Sequence, residues 1–329
     1  MRLVYAGTGG FAMPAFEALI ASQFKPIALI TQPDKPGASM RSSSRMVGLG
    51  LKGPALKGGI AVHQPQSIND PAGLAILQAL APDLLVVAAY GQILSQEALA
   101  IPKLGCINLH ASILPRHRGA SPIAHAVWAG DPETGVSVIR MTPGLDAGEV
   151  IGLVRTPIGA EETAEELEVR LSQMAASLAW EMVEAISRGK VTGIPQDPAL
   201  VTRAPRLKKD TGNIDWSLTT AEILRLIRAM QPWPTAFTHR IREGLPSVRL
   251  QIVKGQNANE QISAIPLLQA AEAPGTVVSP DSRGSELLVK TGDGALKVLV
   301  VQPSGKTAMP VGDYLRGNPI RIGDRFAKV

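Results

Sequence analysis

Leu84-Leu85-Val86-Val87-Ala88-Ala89 is an apolar run without a polar residue in alternate positions. A strand with one face in water alternates, so a strand that does not alternate is covered on both faces, as in a parallel α/β sheet. The run is also far too short to span a bilayer. Working outward, Arg2-Leu3-Val4-Tyr5-Ala6 and Pro26 to Thr31 read the same way. Between them Pro14 opens a helix whose Phe16, Leu19 and Ile20 fall on one face. Gly105 to Leu109 and Gly135 to Met141 add further strands. Thr163 with Glu166 three residues on forms a capping box before a helix that runs to about Ser187. This order predicts a doubly wound, mostly parallel α/β domain.

Beyond residue 192 the grammar changes. Gly193 to Pro205 contains three prolines and breaks both periodicities, which predicts a linker, with Arg206, Lys208 and Lys209 just past it. Thr219 and Glu222 cap a helix carrying Ile223, Leu226, Ile227 and Met230 at helical spacing, and Pro232-Trp233-Pro234 ends it. Short strands follow. Val248, Leu250 and Ile252 point one way, Arg249 and Gln251 the other. Leu287 to Lys290 and Leu296 to Val301 flank Gly292-Asp293-Gly294, a hairpin signal. The expected organisation is a catalytic domain over 1–192, a linker over 193–209, and a small barrel of the oligonucleotide-binding type over 210–329.

The 329 residues suit two domains, and one cysteine, Cys106, excludes an internal disulfide framework and fits a reducing cytoplasm. Gly7, Gly9 and Gly10 interrupt any signal-peptide core, so neither a targeting segment nor a membrane span is expected. Charge is unevenly divided. Residues 1–205 carry 16 Lys+Arg against 17 Asp+Glu, whereas residues 206–329 carry 17 against 11. A basic second domain beside a neutral first one points to a polyanionic partner.

Asn108 and His110 alternate along the strand that begins at Gly105, so they face the same side. Asp146 follows within Pro143-Gly144-Leu145-Asp146-Ala147-Gly148, where flanking glycines let the backbone fold close to a ligand. An amide to polarise a carbonyl, an imidazole to handle protons and a carboxylate to set the imidazole's state suffice to move an acyl carbon between nitrogens. With nitrogen as nucleophile and leaving group, no metal is expected. Competing signals are weaker. Gly7-Thr8-Gly9-Gly10-Phe11-Ala12 matches a loose dinucleotide fingerprint, but Asp34 sits between prolines in a loop rather than at a strand end. His110, His117 and His125 lack metal-ligand spacing. Cys106 shares the parity of Asn108 and His110 and is either a nucleophile or a small buried thiol.

Cys106-Ile107-Asn108-Leu109-His110-Ala111-Ser112-Ile113-Leu114-Pro115 resembles the Asn-x-His-x-Ser-Leu-Leu-Pro signature of the folate-dependent formyltransferases. Ala6-Gly7-Thr8, Gln32-Pro33-Asp34, Ala89-Tyr90-Gly91, Arg118-Gly119-Ala120-Ser121-Pro122 and Gly144-Leu145-Asp146 resemble the branch acting on methionyl initiator tRNA. So do Ile214-Asp215-Trp216, Pro232-Trp233-Pro234 and Thr291-Gly292-Asp293-Gly294, which carries the resemblance over essentially the whole chain. It implies transfer of the formyl group of 10-formyltetrahydrofolate to the α-amine of methionine on initiator tRNA. Asn108, His110 and Asp146 would then be the catalytic set. Ala89, Tyr90, Gln92, Ile93, Leu94, Ser112, Ile113, Leu114, Pro115, Thr142 and Leu145 would line the folate pocket. The basic barrel, with Arg206, Lys208 and Lys209, would hold tRNA, joined by Arg41 and Arg45 from the loop after Gln32-Pro33-Asp34.

The sequence departs from the family pattern in three places. The 35–45 segment lacks the usual Gly-Lys-Arg-rich character, Ile113 replaces Leu, and His117 stands where Trp is common. His117, between Arg116 and Arg118, is expected to be exposed. The alternative is another 10-formyltetrahydrofolate-dependent formyltransferase or hydrolase acting on a small amine. A glycinamide ribonucleotide enzyme would need only about the first two hundred residues, while formyl-folate dehydrogenases and sugar-nucleotide formyltransferases are expected to carry a further dehydrogenase-like module. A monomer is expected for an enzyme that embraces a large acceptor.

Overall fold

Strands β1 (Leu3–Gly7) and β4 (Leu84–Ala88) are buried along their whole length, and they pair in parallel with Tyr5 opposite Val86. This is a computed structural model, and it describes residues 1–34, 50–242, 245–260, 273–280 and 286–328. Both faces of this strand pair are covered, as the absence of alternation requires. On one face Phe16 of α1 (Met13–Ile20) meets the ring of Tyr5 at 4.9 Å between centroids. On the other, Val4, Ala6, Leu85 and Val87 form a core with Leu77 of α3 (Pro71–Leu80) and Ala98 of α4 (Gln96–Ala100). Each fully buried Leu or Phe contributes about 1.5–3 kcal/mol. Helix α2 (Lys52–Lys57) lies between β2 (Ala28–Ile30) and β3 (Ala61–His63) in the chain.

The sheet order is β3-β2-β1-β4-β5-β6-β7, with β5 (Cys106–His110), β6 (Glu133–Arg140) and β7 (Val150–Pro157). Pairing is parallel from β3 to β5 and antiparallel from β5 to β7. Strand order reverses between β1 and β4, so the loops after them open a crevice at the carboxyl ends of the strands. Doubly wound sheets bind ligands there. Helix α5 (Pro122–Ala129) follows β5, and α6 (Ala164–Ser187) follows β7. Two edge strands, β3 and β7, were not foreseen. β3 has three residues, none of them buried, and β7 is only half covered, so neither has the apolar signature of the centre.

The chain divides into two compact units, the first including residues up to Arg206 and the second beginning in the main at Leu207. The expected linker folds with the first unit over much of its length. Ile194 exchanges two backbone hydrogen bonds of 2.9 Å with Val150, and Ala204 N–H donates to the Arg118 carbonyl at 2.8 Å. A short 3₁₀ turn, Pro198–Leu200, lies between these contacts.

In the second unit α7 (Thr220–Ala229) carries the expected capping box of Thr219 and Glu222. The sheet order is β10-β11-β12-β9-β8-β14, formed by β8 (Ala236–Arg242), β9 (Leu245–Asn257), β10 (Val277–Pro280), β11 (Leu287–Lys290), β12 (Ala295–Pro303) and β14 (Arg325–Ala327). The short β13 (Met309–Pro310) pairs with β12 and leads into α8 (Val311–Gly317). Val277 N–H donates to the Asp324 carbonyl at 2.8 Å and Phe326 N–H to the Gly275 carbonyl at 2.7 Å, which joins the two ends of the sheet into a barrel. The hairpin across Gly292-Asp293-Gly294 forms with Lys290 opposite Ala295. Leu250 and Ile252 point inward as expected, whereas Val248, nearer the start of β9, is exposed.

Candidate active site

Strand β5 delivers three side chains of one parity to different depths. Cys106 sits in the core with Leu85 and Val87, and burial pushes its thiol up to about 12. That is an inert thiol. Asn108 is half-buried, and His110, at the carboxyl end of the strand, is 4% exposed.

Asp146 arrives on the turn after β6 and meets both. Its Oδ1 accepts from Asn108 Nδ2 at 3.3 Å, its Oδ2 accepts from the Gly119 N–H at 2.9 Å, and Oδ2 lies 3.6 Å from His110 Nδ1. The other ring nitrogen, Nε2, is 2.9 Å from the His117 carbonyl oxygen. A carbonyl can only accept, so Nε2 carries the proton and Nδ1 keeps the lone pair in the neutral ring. Burial pushes the His110 pKa below its ordinary value; the Asp146 carboxylate and the bond to the His117 carbonyl oppose that shift, while the charges of the His117 and Arg118 side chains add to it. The ring is therefore neutral at neutral pH, with its basic atom turned toward the carboxylate.

The backbone around this group is strained. Ala89, His117 and Asp146 all have positive φ, at 45°, 59° and 48°. Each such residue costs about 1–3 kcal/mol and persists only where its surroundings over-determine it. For His117 the reason is visible: its N–H donates to Thr202 Oγ1 at 2.8 Å while its carbonyl accepts from His110. This backbone turn buries His117, contrary to the expectation of exposure. Gly119 has φ +133°, and a Cβ there would collide with the Ala204 carbonyl. Only glycine brings that N–H to Asp146.

The residues expected to line a folate pocket divide into two groups. Ala89, Ile93, Thr142 and Leu145 are exposed around the crevice, and Ile113 and Pro115 are half-buried. Tyr90 and Leu94 belong to the core. Gln92 is spent on the scaffold, its Oε1 accepting from Ile68 N–H at 2.7 Å. Ser112 is fully buried, its hydroxyl donating to the Arg116 carbonyl at 2.7 Å while its own carbonyl accepts from Ser137 Oγ at 2.7 Å. Ser137 also accepts from the N–H of buried Leu114 at 3.1 Å, so these groups shape the turn after β5. Sequence reading missed Ser137, Thr202 and Gln196. Thr202 lies 85 residues from His117, and Gln196 lies 48 to 78 residues from its partners, beyond the reach of any local pattern. Arg206, Lys208 and Lys209 are exposed, while Arg41 and Arg45 lie outside the described residues. Among the described residues no His, Cys, Asp and Glu cluster could hold a metal, and no helix is long and apolar enough to cross a membrane.

Residues 1–183 match the formyl transferase family and residues 206–319 its C-terminal domain. The chain belongs to the formyl transferase family. It is 40% identical to the methionyl-tRNA formyltransferase of Alkaliphilus oremlandii, over 98% of this chain and 99% of that one. It is also 40% identical to the methionyl-tRNA formyltransferase of Moorella thermoacetica, over 98% of each chain. Among solved structures, the N-formyltransferase of Helicobacter canadensis in complex with folinic acid and dTDP-3-aminofucose shares the fold, with a TM-score of 0.63 at 17% identity. It is matched over 98% of its own length and 91% of this formyl transferase. The expectation that sugar-nucleotide formyltransferases carry a further large module is thereby corrected, and length does not separate them from this chain.

Proposed function

We propose that this chain transfers the formyl group of 10-formyltetrahydrofolate to the α-amine of methionine on initiator tRNA. The observation that carries the chemistry is the meeting of Asn108, Gly119 N–H and His110 Nδ1 around one carboxylate, Asp146. The acceptor is supported by similarity to methionyl-tRNA formyltransferases over nearly the full chain.

When bound, 10-formyltetrahydrofolate supplies a formyl carbon attached to a nitrogen that can leave. The crevice between the loops after β1 and β4 borders β5, and Val87 pairs with Asn108, so a ligand there ends beside the three side chains. Ala89, Ile93, Ile113, Pro115, Thr142 and Leu145 are the members of the expected lining that it would touch. Asn108 gives one amide hydrogen to Asp146 and keeps a second for the oxygen of the tetrahedral centre. Loss of such a donor costs about 2.7–4 kcal/mol of transition-state stabilisation. As the amine attacks, His110 takes its proton at Nδ1, and Asp146 stabilises the resulting imidazolium. The carbon–nitrogen bond to the folate then breaks, and the same proton returns to the departing nitrogen. The exposed Arg206, Lys208 and Lys209 and the net positive charge beyond residue 205 are the charge source for tRNA. The protein acts as a monomer.

The test is formyl acceptance measured side by side for methionyl initiator tRNA, methionyl elongator tRNA, glycinamide ribonucleotide and an amino-sugar nucleotide. Initiator tRNA is expected to accept at the highest kcat/KM. Faster transfer to either small amine would replace this reading with the small-amine alternative.

A further inference from the structure

Gln196 is the point where the segment beyond α6 reaches the site. Its Nε2 donates to the Asp146 carbonyl at 2.8 Å and to the Gly148 carbonyl at 2.7 Å. Its Oε1 accepts from Arg118 Nε at 3.0 Å and from Arg118 Nη2 at 2.8 Å. Arginine only donates and a carbonyl only accepts, so the amide has one possible orientation, and its two donors and two lone pairs are all used. The side chain thus spans the turn that carries Asp146 and the turn after β5 that carries Arg118. We propose that Gln196 is a positioning residue for formyl transfer: it holds the main chain at 146–148 so that the Asp146 carboxylate faces His110. It also binds the nearby Arg118 guanidinium through its own oxygen.

The physical case rests on strain and charge. Asp146 holds a left-handed φ of 48°, a conformation that relaxes unless bonds on both sides of the residue fix it. The Gly119 N–H fixes the side chain, and Gln196 fixes the carbonyl. The charged or titratable groups facing His110 are the side chains of Asp146, His117 and Arg118; of these charges only the Asp146 carboxylate favours the protonated ring, helped by the bond to the His117 carbonyl. Without Gln196 the carboxylate swings away and Arg118 is released toward it. Both changes make His110 a weaker base.

This inference rests on the formyl-transfer reading, so the experiment includes a measurement that does not need turnover. Gln196→Met keeps the length of the side chain without its hydrogen bonds. It is expected to cut the single-turnover rate about 100-fold, to move the acid limb of the pH–rate profile to lower pH, and to leave KM for tRNA unchanged. Gln196→Glu can still accept from Arg118 but turns oxygens against both carbonyls, and it is expected to be as slow. Substrate-free NMR titration of the His110 ring, assigned by its loss in His110→Gln, should shift to lower pH in Gln196→Met; Gln196→Glu, whose added carboxylate itself pulls the ring upward, is read by its rate. If thermal unfolding shows Gln196→Met to be poorly folded, the same readings on Gln196→Asn, too short to reach every partner, decide the matter. A rate within about threefold of the parent with an unmoved limb and an unmoved His110 titration would overturn the proposal. A Gln196→Glu chain restored to parental rate would also overturn it, since the effect would then lie in Arg118. A parent chain inactive on methionyl-tRNA would instead remove the functional reading, and the NMR titration would still decide the role of Gln196.

Discussion

Replacing Asp146 by Asn removes one charge and almost no volume, and its effect can be sized from the distances. Oδ2 stands 3.6 Å from His110 Nδ1. At an effective dielectric of about 20, a full positive charge on the ring would interact with the carboxylate by about 4.6 kcal/mol. Since about 1.4 kcal/mol is a factor of ten in rate, complete loss of that stabilisation corresponds to about 10³-fold in the proton-transfer step. The asparagine amide adds a second penalty. Its two acceptor positions in the parent face the Gly119 N–H and the Asn108 amide, so either orientation sets a donor against a donor. Leaving such a donor unsatisfied costs about 1–3 kcal/mol. The sign of the pH effect follows from the same contact. The carboxylate raises the His110 pKa against the downward pull of burial, so Asp146→Asn moves the acid limb to lower pH while lowering its plateau. The assay is single-turnover formyl transfer from pH 5 to 9, with thermal unfolding as a control for folding. A loss of less than tenfold with an unmoved limb in a folded variant would refute the assignment of Asp146 as the electrostatic partner of His110.

Three further outcomes are expected. Gly119→Ala sets a methyl group against the Ala204 carbonyl at φ +133°, so activity should be lost and the Tm lowered, as measured by scanning calorimetry. Acid should destabilise the chain partly through His110. The folded ring has a lowered pKa, the unfolded ring takes up its proton first as pH falls through about 6.5, and stability drops by up to about 1.4 kcal/mol per pH unit until the folded pKa is reached. Urea unfolding at pH 7.5 and pH 5 should therefore show a smaller difference in His110→Gln than in the parent. Finally, tRNA affinity should fall steeply with salt. Changing Arg206, Lys208 and Lys209 together to Gln should flatten the log–log slope by about 2–3, because each phosphate contact contributes about 0.9, and an unchanged slope would exclude these residues from the interface.

The parts of the fold that were legible in the sequence are those decided by burial on both faces. Leu84 to Ala88 and Leu3 to Gly7 show their place because nothing polar interrupts them, and Thr219 with Glu222 shows a helix start because the capping chemistry is local. β3 and β7 were hidden, since edge strands lack a buried face to mark them. At the site, Asn108 and His110 were readable from strand parity, and Asp146 from its glycine-flanked turn. Distance in sequence concealed the partners. Nothing near Gln196 signals Asp146, and nothing near Ser112 signals that Ser137 takes up its carbonyl. Tyr90, Leu94 and Ser112 are buried while Ala89 and Ile93 in the same stretch are exposed, because a loop at a crevice alternates between its open side and the core behind it.

The segment from Ile194 to Ala204 closes the site from the far end of its unit. A nascent chain that has emerged only to the end of α6 already holds the whole sheet and the three side chains at issue. It still lacks Thr202 against His117 and Gln196 against Asp146. Such a chain would lack both contacts until Thr202 had been added, so premature termination in this region would leave the three side chains without the groups that hold their turns.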